Sequence, residues 1–415
     1  MNNIAFTICA KNYTGLALIL KKSIKQYYED IDFYIFIADE FEEAITLPEN
    51  TYVVKNLGIF NSSEWNELTF KYDLTEFCTC LKPYLFEWLM NKNDTCNVCY
   101  LDPDLFFFSS IENVFNKFNS YDILLTPHIL QITNSDIQQT MERELKFAGI
   151  YNLGFLGLRK CSETLQILKW WQSRLYDKCF ACWQRGEFTD QIWMDFITAF
   201  YKFPEKIYIS HNLGWNFAPW NFYERKLFGD REVCLRNQQD VVEPIVFVHY
   251  SGINYKKLIN GEIIQKTGTH SFISEDIERL LLIYGNYIKE NKETLLKYIN
   301  YKYSYNFFSN GEFINPFLRR LFHGLLLEKE SFILNTNPFD SNGILYQLAK
   351  KNKLLIKKYS QPVLENTNNV TGKIKILQKI QKFFFRLLGV NKYLALNTYF
   401  SRATISEKQT YLIKK

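Results

Sequence analysis

At 415 residues the chain is long enough for two or three domains with a large core, and 47% hydrophobic against 22% charged residues excludes a chain that stays largely unfolded. Lys and Arg number 49 against 44 Asp and Glu, a formal charge of +5, too small a bias to argue for a nucleic-acid partner. Aromatics at 17% favour a well-filled core and a surface on which planar or sugar rings stack.

The N-terminal MNNIAFTICAKNYTGLALIL is interrupted by Lys11 and lacks the basic start, unbroken apolar stretch and cleavage site of a secretory leader. No run has bilayer-spanning length, so the protein is expected in the cytoplasm. Residues 4–10, IAFTICA, read as a strand, and Lys11, Asn12 and Tyr13 begin a loop. TGLALILKKSIKQYY has apolar residues at helical spacing, and DFYIFIAD (32–39) is a second strand ending in Asp39. This β-α-β opening predicts an α/β fold with a parallel sheet and ligands bound beyond the carboxyl ends of its strands, where Asn12, Tyr13 and Asp39 lie.

TEFCTCLKPYLFEWLM (75–90) reads as a helix that Pro83 should kink or divide. Its Lys82 reaches a phosphate or belongs to a solvated face. Val98 to Leu101 form a short buried strand that runs into LDPDLFFF. Pro103 stops the ladder there, and Asp102 and Asp104 repel each other unless a cation or strong donors neutralise them. Read from the residues alone, the alternative is a solvated Asp-Pro-Asp turn. SYDILLTPHIL gives another strand ending at Pro127 and His128. YNLGFLGLRK (151–160) gives an apolar strand whose two glycines let a backbone approach a ligand, and a helix follows around Trp170 and Trp171.

Three further stretches stand out: FTDQIWMDF (188–196), HNLGWNFAPWNFYER (211–225) and IVFVHYSG (245–252). The second is rich in Asn, Gly, Pro and Trp and reads as a functional loop. In the third, His249 taken alone is a core histidine bonded to backbone or a ligand. Beyond about residue 260 the chain turns helical, with Ser274 as an N-cap candidate. ENTNNVTG (365–372) is the best linker candidate. KIKILQKIQKFFFRLLG (373–389) pairs five basic residues with an apolar stripe, suited either to an anionic membrane surface or to packing on the rest of the protein. Nine scattered cysteines suit a reducing compartment, although Cys96/Cys99 and Cys179/Cys182 together could form a four-thiolate zinc site.

Taken together and in order, LDPD, YNLGFLGL, TDQIWMD and FVHYSG resemble the GT-A class of nucleotide-sugar glycosyltransferases, in particular bacterial enzymes of cell-surface polysaccharide synthesis and, more distantly, glycosyltransferase family eight. The resemblance covers about residues 1–257. It implies a GT-A fold, a Rossmann-like mixed sheet flanked by helices, for 1–257. A helical extension over 258–364, on the acceptor side, and a basic amphipathic segment over 365–415 would follow. It implies that Asp102 and Asp104 hold Mn2+ or Mg2+ against the donor diphosphate and that His249 is a third ligand. Asn152 and Gly154 would line the donor sugar, and Asp190 with Gln191 would lie beside the reacting carbon. Ala10 to Tyr13 and Asp39 would bind the nucleotide. In family eight a lysine three residues after the glycine of His-x-x-Gly grips the diphosphate; here Lys256 and Lys257 lie four and five residues after Gly252.

The implied reaction is transfer of a hexose from a nucleoside diphosphate sugar, UDP first, to a surface glycan, with peripheral membrane contact as a further expectation. An inverting enzyme would use Asp190, then Asp195, as general base, whereas a retaining one would use Asp190 to position the sugar. Trp193, Trp215 and Trp220 are candidates for stacking on sugars, with Asn216 and Trp220 on the acceptor side. A nucleotidyltransferase of similar fold, or a catalytically silent scaffold, are the alternatives. Against the former, the loop AKNYTG lacks a Gly- and Arg-rich phosphate cradle.

Overall fold

In IAFTIC and DFYIFI, β-branched and aromatic residues occupy both faces, the pattern of strands buried on both sides. A computed structural model, which describes residues 2–41, 46–260, 272–356 and 367–414, shows these as neighbours in a mixed seven-stranded sheet. Its strands are β1 (Asn2–Cys9), β2 (Asp32–Ile37), β3 (Thr51–Val53), β4 (Cys96–Leu101), β6 (Ile123–Leu125) and β7 (Phe155–Arg159), with Ile207–Ile209 at one edge, while β5 (Leu105–Phe107) lies outside it. The order is Ile207–Ile209, β6, β7, β4, β1, β2, β3. All pairings are parallel except those of β7, which runs antiparallel to both β4 and β6.

That one reversal positions the site. In a parallel sheet the loops after β1 and β4 emerge at the same edge; because β7 is reversed, its beginning reaches that edge as well, with Phe155 opposite Leu101. The amide of Asp102 donates to the carbonyl of Gly154 at 2.8 Å and extends the pairing by one residue. Outside the sheet, β5 pairs antiparallel with the strand Phe247–His249, with His249 opposite Leu105. The turn at Pro103 therefore brings both Asp102 and Asp104 to His249.

The helix Leu74–Asn91 runs through Pro83 without a break, where the sequence suggested a kink. Its buried residues Phe77, Leu81, Leu85 and Phe86 recur at helical spacing, and their burial outweighs one missing backbone donor. The chain divides into two compact units, Met1–Phe60 with Leu74–Ser304, and Asn61–Asp73 with Tyr305–Lys415. The helix Glu275–Glu290 buries Ile277, Leu280, Leu281 and Tyr284 in a cluster with Leu16, Phe106 and Tyr250 of the first unit. Ser274 precedes this helix but makes no capping bond; its hydroxyl donates to Asp276 instead.

The second unit packs Phe70 against Leu321, Phe322 and Leu345. Buried Arg319 donates to the carbonyls of Thr69, Phe70 and Tyr72, satisfying the end of the helix Ser62–Lys71. Of the linker candidate 365–372, residues 365 and 366 lie outside the described residues. Thr367 onward is already helix, part of Thr367–Ala403.

Candidate functional site

Asp102, Asp104 and His249 converge. One ligand atom from each lies within 4.8 Å of the others, the one such group of His, Cys, Asp and Glu among the described residues. His249 Nε2 stands 3.1 Å from Asp104 Oδ1 and 3.6 Å from Asp102 Oδ2. The imidazole is buried while both carboxylates remain partly exposed. Burial is the largest influence on Asp102 and holds its carboxyl above the ordinary range despite Lys82 and His249. Burial also pushes Asp104 upward, but the imidazole's charge and hydrogen bond reverse this and leave it below the ordinary value. For His249, burial opposes the charged form and the two carboxylates outweigh it, so its pKa is raised.

Two carboxylates and an imidazole whose Nε2 faces them both form a donor set that fits a hard divalent cation. The cysteines are all free, and Cys96 and Cys99 are buried within β4, so the four-thiolate reading has no support among the described residues.

A cavity of about 250 Å³ opens over this cluster, lined by Ala10 and Tyr13 after β1, Thr75 and Cys78 on the helix Leu74–Asn91, and Tyr100, Asp102 and Asp104. Burial, helped by the charge of Asp104, pushes the Tyr13 phenol up to about 12. Gly252, at φ +75° in the turn after Phe247–His249, lines a smaller adjoining cavity of about 50 Å³ with Tyr13, Asp104 and Tyr284. Asn12 and Asp39 lie outside the lining of both cavities. Buried Asp39 accepts from the amides of Ser304, at 3.0 Å, and Glu40, at 2.8 Å. Lys256 is exposed on the short helix Tyr255–Leu258.

Behind the carboxylates sits a second, drier layer. Lys82 is not on a solvated face: its ammonium is 2.7 Å from Asp190 Oδ2, donates to the carbonyl of Leu153 at 2.8 Å and lies over the Tyr100 ring at 4.2 Å. The Tyr100 hydroxyl donates to Asp102. Asp190 occupies the N-cap position of the turn Gln191–Phe196 but makes no capping bond, because its carboxylate is committed to Lys82. Gln191 is buried beside it. Asp195 accepts from the amide of Ile150 at 3.0 Å, and burial raises its pKa.

Gly154 leaves space. A Cβ on it would stand 2.3 Å from Cε1 of His249. The Asn152 carboxamide accepts from the Gly154 amide and from Asn216 Nδ2, both at 3.1 Å. Asn216, wholly buried at φ +57°, also donates to Thr126. It is therefore a framework residue and not an acceptor-side one. Trp220 is buried edge-on to His249, with ring centroids 5.0 Å apart, and Trp215 packs on Phe155 and Tyr208 in the core, so neither offers a face for a sugar. Trp193 packs on Trp170 and Phe196.

Tyr100 and His128 were not singled out from sequence as site residues. Tyr100 precedes Asp102 by two positions, the spacing that puts two strand residues on one face, and that signal was present. His128 meets the Asn152 amide nitrogen at 3.3 Å, a contact between the segment after β6 and the one before β7 that spacing does not show.

No protein-family model matches the chain. It is similar to two curated proteins of Bacillus subtilis (strain 168), both uncharacterized. It is 26% identical to YfnF over 61% of this chain and 82% of that protein, and 22% identical to YfnD over 59% and 76%. Among solved structures it is similar to the galactosyltransferase LgtC in complex with donor and acceptor sugar analogs, with TM-score 0.36, 17% identity, and 60% of this chain and 87% of that one covered. It is also similar to a glycosyltransferase involved in glycosylation of the major capsid of PBCV-1, with TM-score 0.32, 14% identity, and 61% and 94% covered. Mouse xyloside xylosyltransferase 1 aligns with TM-score 0.35, 12% identity, and 60% and 97% covered.

Proposed function

We propose that the protein is a metal-dependent glycosyltransferase of GT-A type. It moves a hexose from a nucleoside diphosphate sugar, UDP-linked in the first instance, to a cell-surface glycan acceptor on the cytoplasmic side of the membrane. The observation that carries this reading is the convergence of Asp102, Asp104 and His249, with the two carboxylates lining a cavity at the carboxyl ends of β1 and β4. Cleaving a sugar–phosphate bond gathers negative charge on the departing diphosphate. Bound by Asp102, Asp104 and His249, Mn2+ or Mg2+ supplies the compensating charge.

The other residues act on the donor. Ala10 and Tyr13 form the nucleotide side of the cavity, facing Thr75 and Cys78. Asp190, buried and held by the Lys82 ammonium, orients the sugar and offers negative charge to an oxocarbenium-like centre. A carboxylate committed in this way is not open to an acceptor's proton, which favours retention at the anomeric carbon.

The test is a screen of nucleotide sugars with the purified full chain and Mn2+. We expect release of nucleoside diphosphate that EDTA abolishes and that Asp102→Asn and Asp104→Asn each reduce at least about a thousandfold without loss of helical circular dichroism. Turnover indifferent to EDTA and to both substitutions rejects the reading. Pyrophosphate formed from a nucleoside triphosphate and a sugar phosphate would assign a nucleotidyltransferase instead, and failure to bind any nucleotide in calorimetry would assign a scaffold.

A further inference from the structure

The helix Thr367–Ala403, 37 residues long, carries chemistry that glycosyl transfer does not use. Across these residues the sequence has seven basic side chains, Lys373, Lys375, Lys379, Lys382, Arg386, Lys392 and Arg402, and no Asp or Glu. Its helical path breaks at Gly389, at φ 70° and ψ 171°, so the stretch before that glycine is a separate arm. In this arm Ile376, Ile380, Phe383, Phe384 and Leu387 follow one another at helical spacing and share a face. Lys379, Lys382 and Arg386, also at helical spacing, share another.

The sequence alone allowed the apolar row to pack on the rest of the protein. The structure leaves it in the open: Ile376, Phe383 and Leu387 are 59%, 61% and 66% exposed. A continuous apolar row of this kind marks a contact surface. Among the described residues no helix is long and apolar enough to cross a membrane, so the arm does not read as a span. Two copies of this helix would set like charges beside their apolar seam, because its basic side chains have no acidic ones among them, and those charges repel.

We propose that this arm is a docking surface for an anionic lipid bilayer and lies in the plane of the headgroups. The row Ile376, Ile380, Phe383, Phe384 and Leu387 enters the acyl boundary, and Lys379, Lys382 and Arg386 face the lipid phosphates. Charge complementarity fixes the partner, because an electrically neutral surface would leave the unbalanced cations without counterpart. This surface goes beyond the proposed reaction and does not rest on it.

Co-sedimentation of the full chain with vesicles tests it. We expect binding to equal mixtures of phosphatidylcholine and phosphatidylglycerol, weakened by salt, and little binding to phosphatidylcholine alone. Each basic residue near such a surface is worth about fivefold in partitioning, so K379Q/K382Q/R386Q lowers binding by about a hundredfold. F383S/L387S lowers it at least about tenfold, with helical circular dichroism unchanged. Metal-dependent release of nucleotide stays at the wild-type rate in both variants, so this result and the catalytic one are read separately. Equal binding to both vesicle types, or wild-type binding by both variants, overturns the proposal. A dimer in solution that F383S/L387S dissociates, with no vesicle binding, overturns it in favour of a second copy of the chain.

Discussion

Lys82 and Asp190 form an ion pair at 2.7 Å with side chains only 2% and 3% exposed. The pair joins the helix Leu74–Asn91 to the turn at Gln191, and through the Tyr100 ring it backs the carboxylate of Asp102. Desolvating two charges is costly, and mutual attraction offsets that cost only while both are present. Lys82→Met or Asp190→Asn alone should therefore destabilise the protein by about 3–5 kcal/mol, read as a shift in denaturant midpoint. The double replacement should cost clearly less than the sum of the singles. Additive losses in this double-mutant cycle would show that the two side chains are not coupled.

Gly154 is a matter of space. With a Cβ 2.3 Å from the imidazole carbon and 2.7 Å from Nδ1, Gly154→Ala must move His249 or the backbone that pairs with Asp102. Mn2+ affinity, measured by calorimetry, should fall at least about tenfold while the fold persists. Unchanged affinity would mean that His249 is not a ligand.

Tyr100 acts on the cation site through Asp102. Its hydroxyl orients one carboxylate oxygen, so Tyr100→Phe should weaken Mn2+ binding by about 10- to 100-fold, the usual effect of removing a partner of a ligand. The lost hydroxyl leaves packing intact, and the unfolding midpoint should move little. A large loss of stability with unchanged metal affinity would assign Tyr100 to the core alone.

Asp276 gives the first unit a pH dependence. Burial works to raise its pKa, but the Ser274 hydroxyl, the Arg236 guanidinium and the Leu227 amide outweigh burial and hold it below the ordinary 3.8. A depressed folded pKa stabilises the protein above the unfolded value, and that contribution is lost as pH falls through the folded value. Asp276→Asn should thus cost about 1 kcal/mol at pH 7, a figure kept small because the pair is partly solvated, and almost nothing near pH 2. The same cost at both pH values would refute the electrostatic origin.

The sequence by itself determined the α/β alternation, because buried strands and amphipathic helices announce themselves through local periodicity. It also drew notice to Asp102 and Asp104, two acids flanking a proline after an apolar strand, whereas the pairing of His249 with them came only from the resemblance carried by LDPD and FVHYSG together. What only the tertiary structure decided is how distant segments meet. The reversed direction of β7 brings Gly154 to Asp102, and the pairing of β5 with Phe247–His249 brings Nε2 of the imidazole to both carboxylates. Lys82 read as a solvated or phosphate-binding lysine until its partner, Asp190, came into view from another part of the chain. Trp215, Trp220 and Asn216 read as a sugar surface by composition, and packing put them inside. Periodicity records which face of an element is apolar, whereas partner choice depends on contacts between residues far apart in the chain, and no local pattern encodes those.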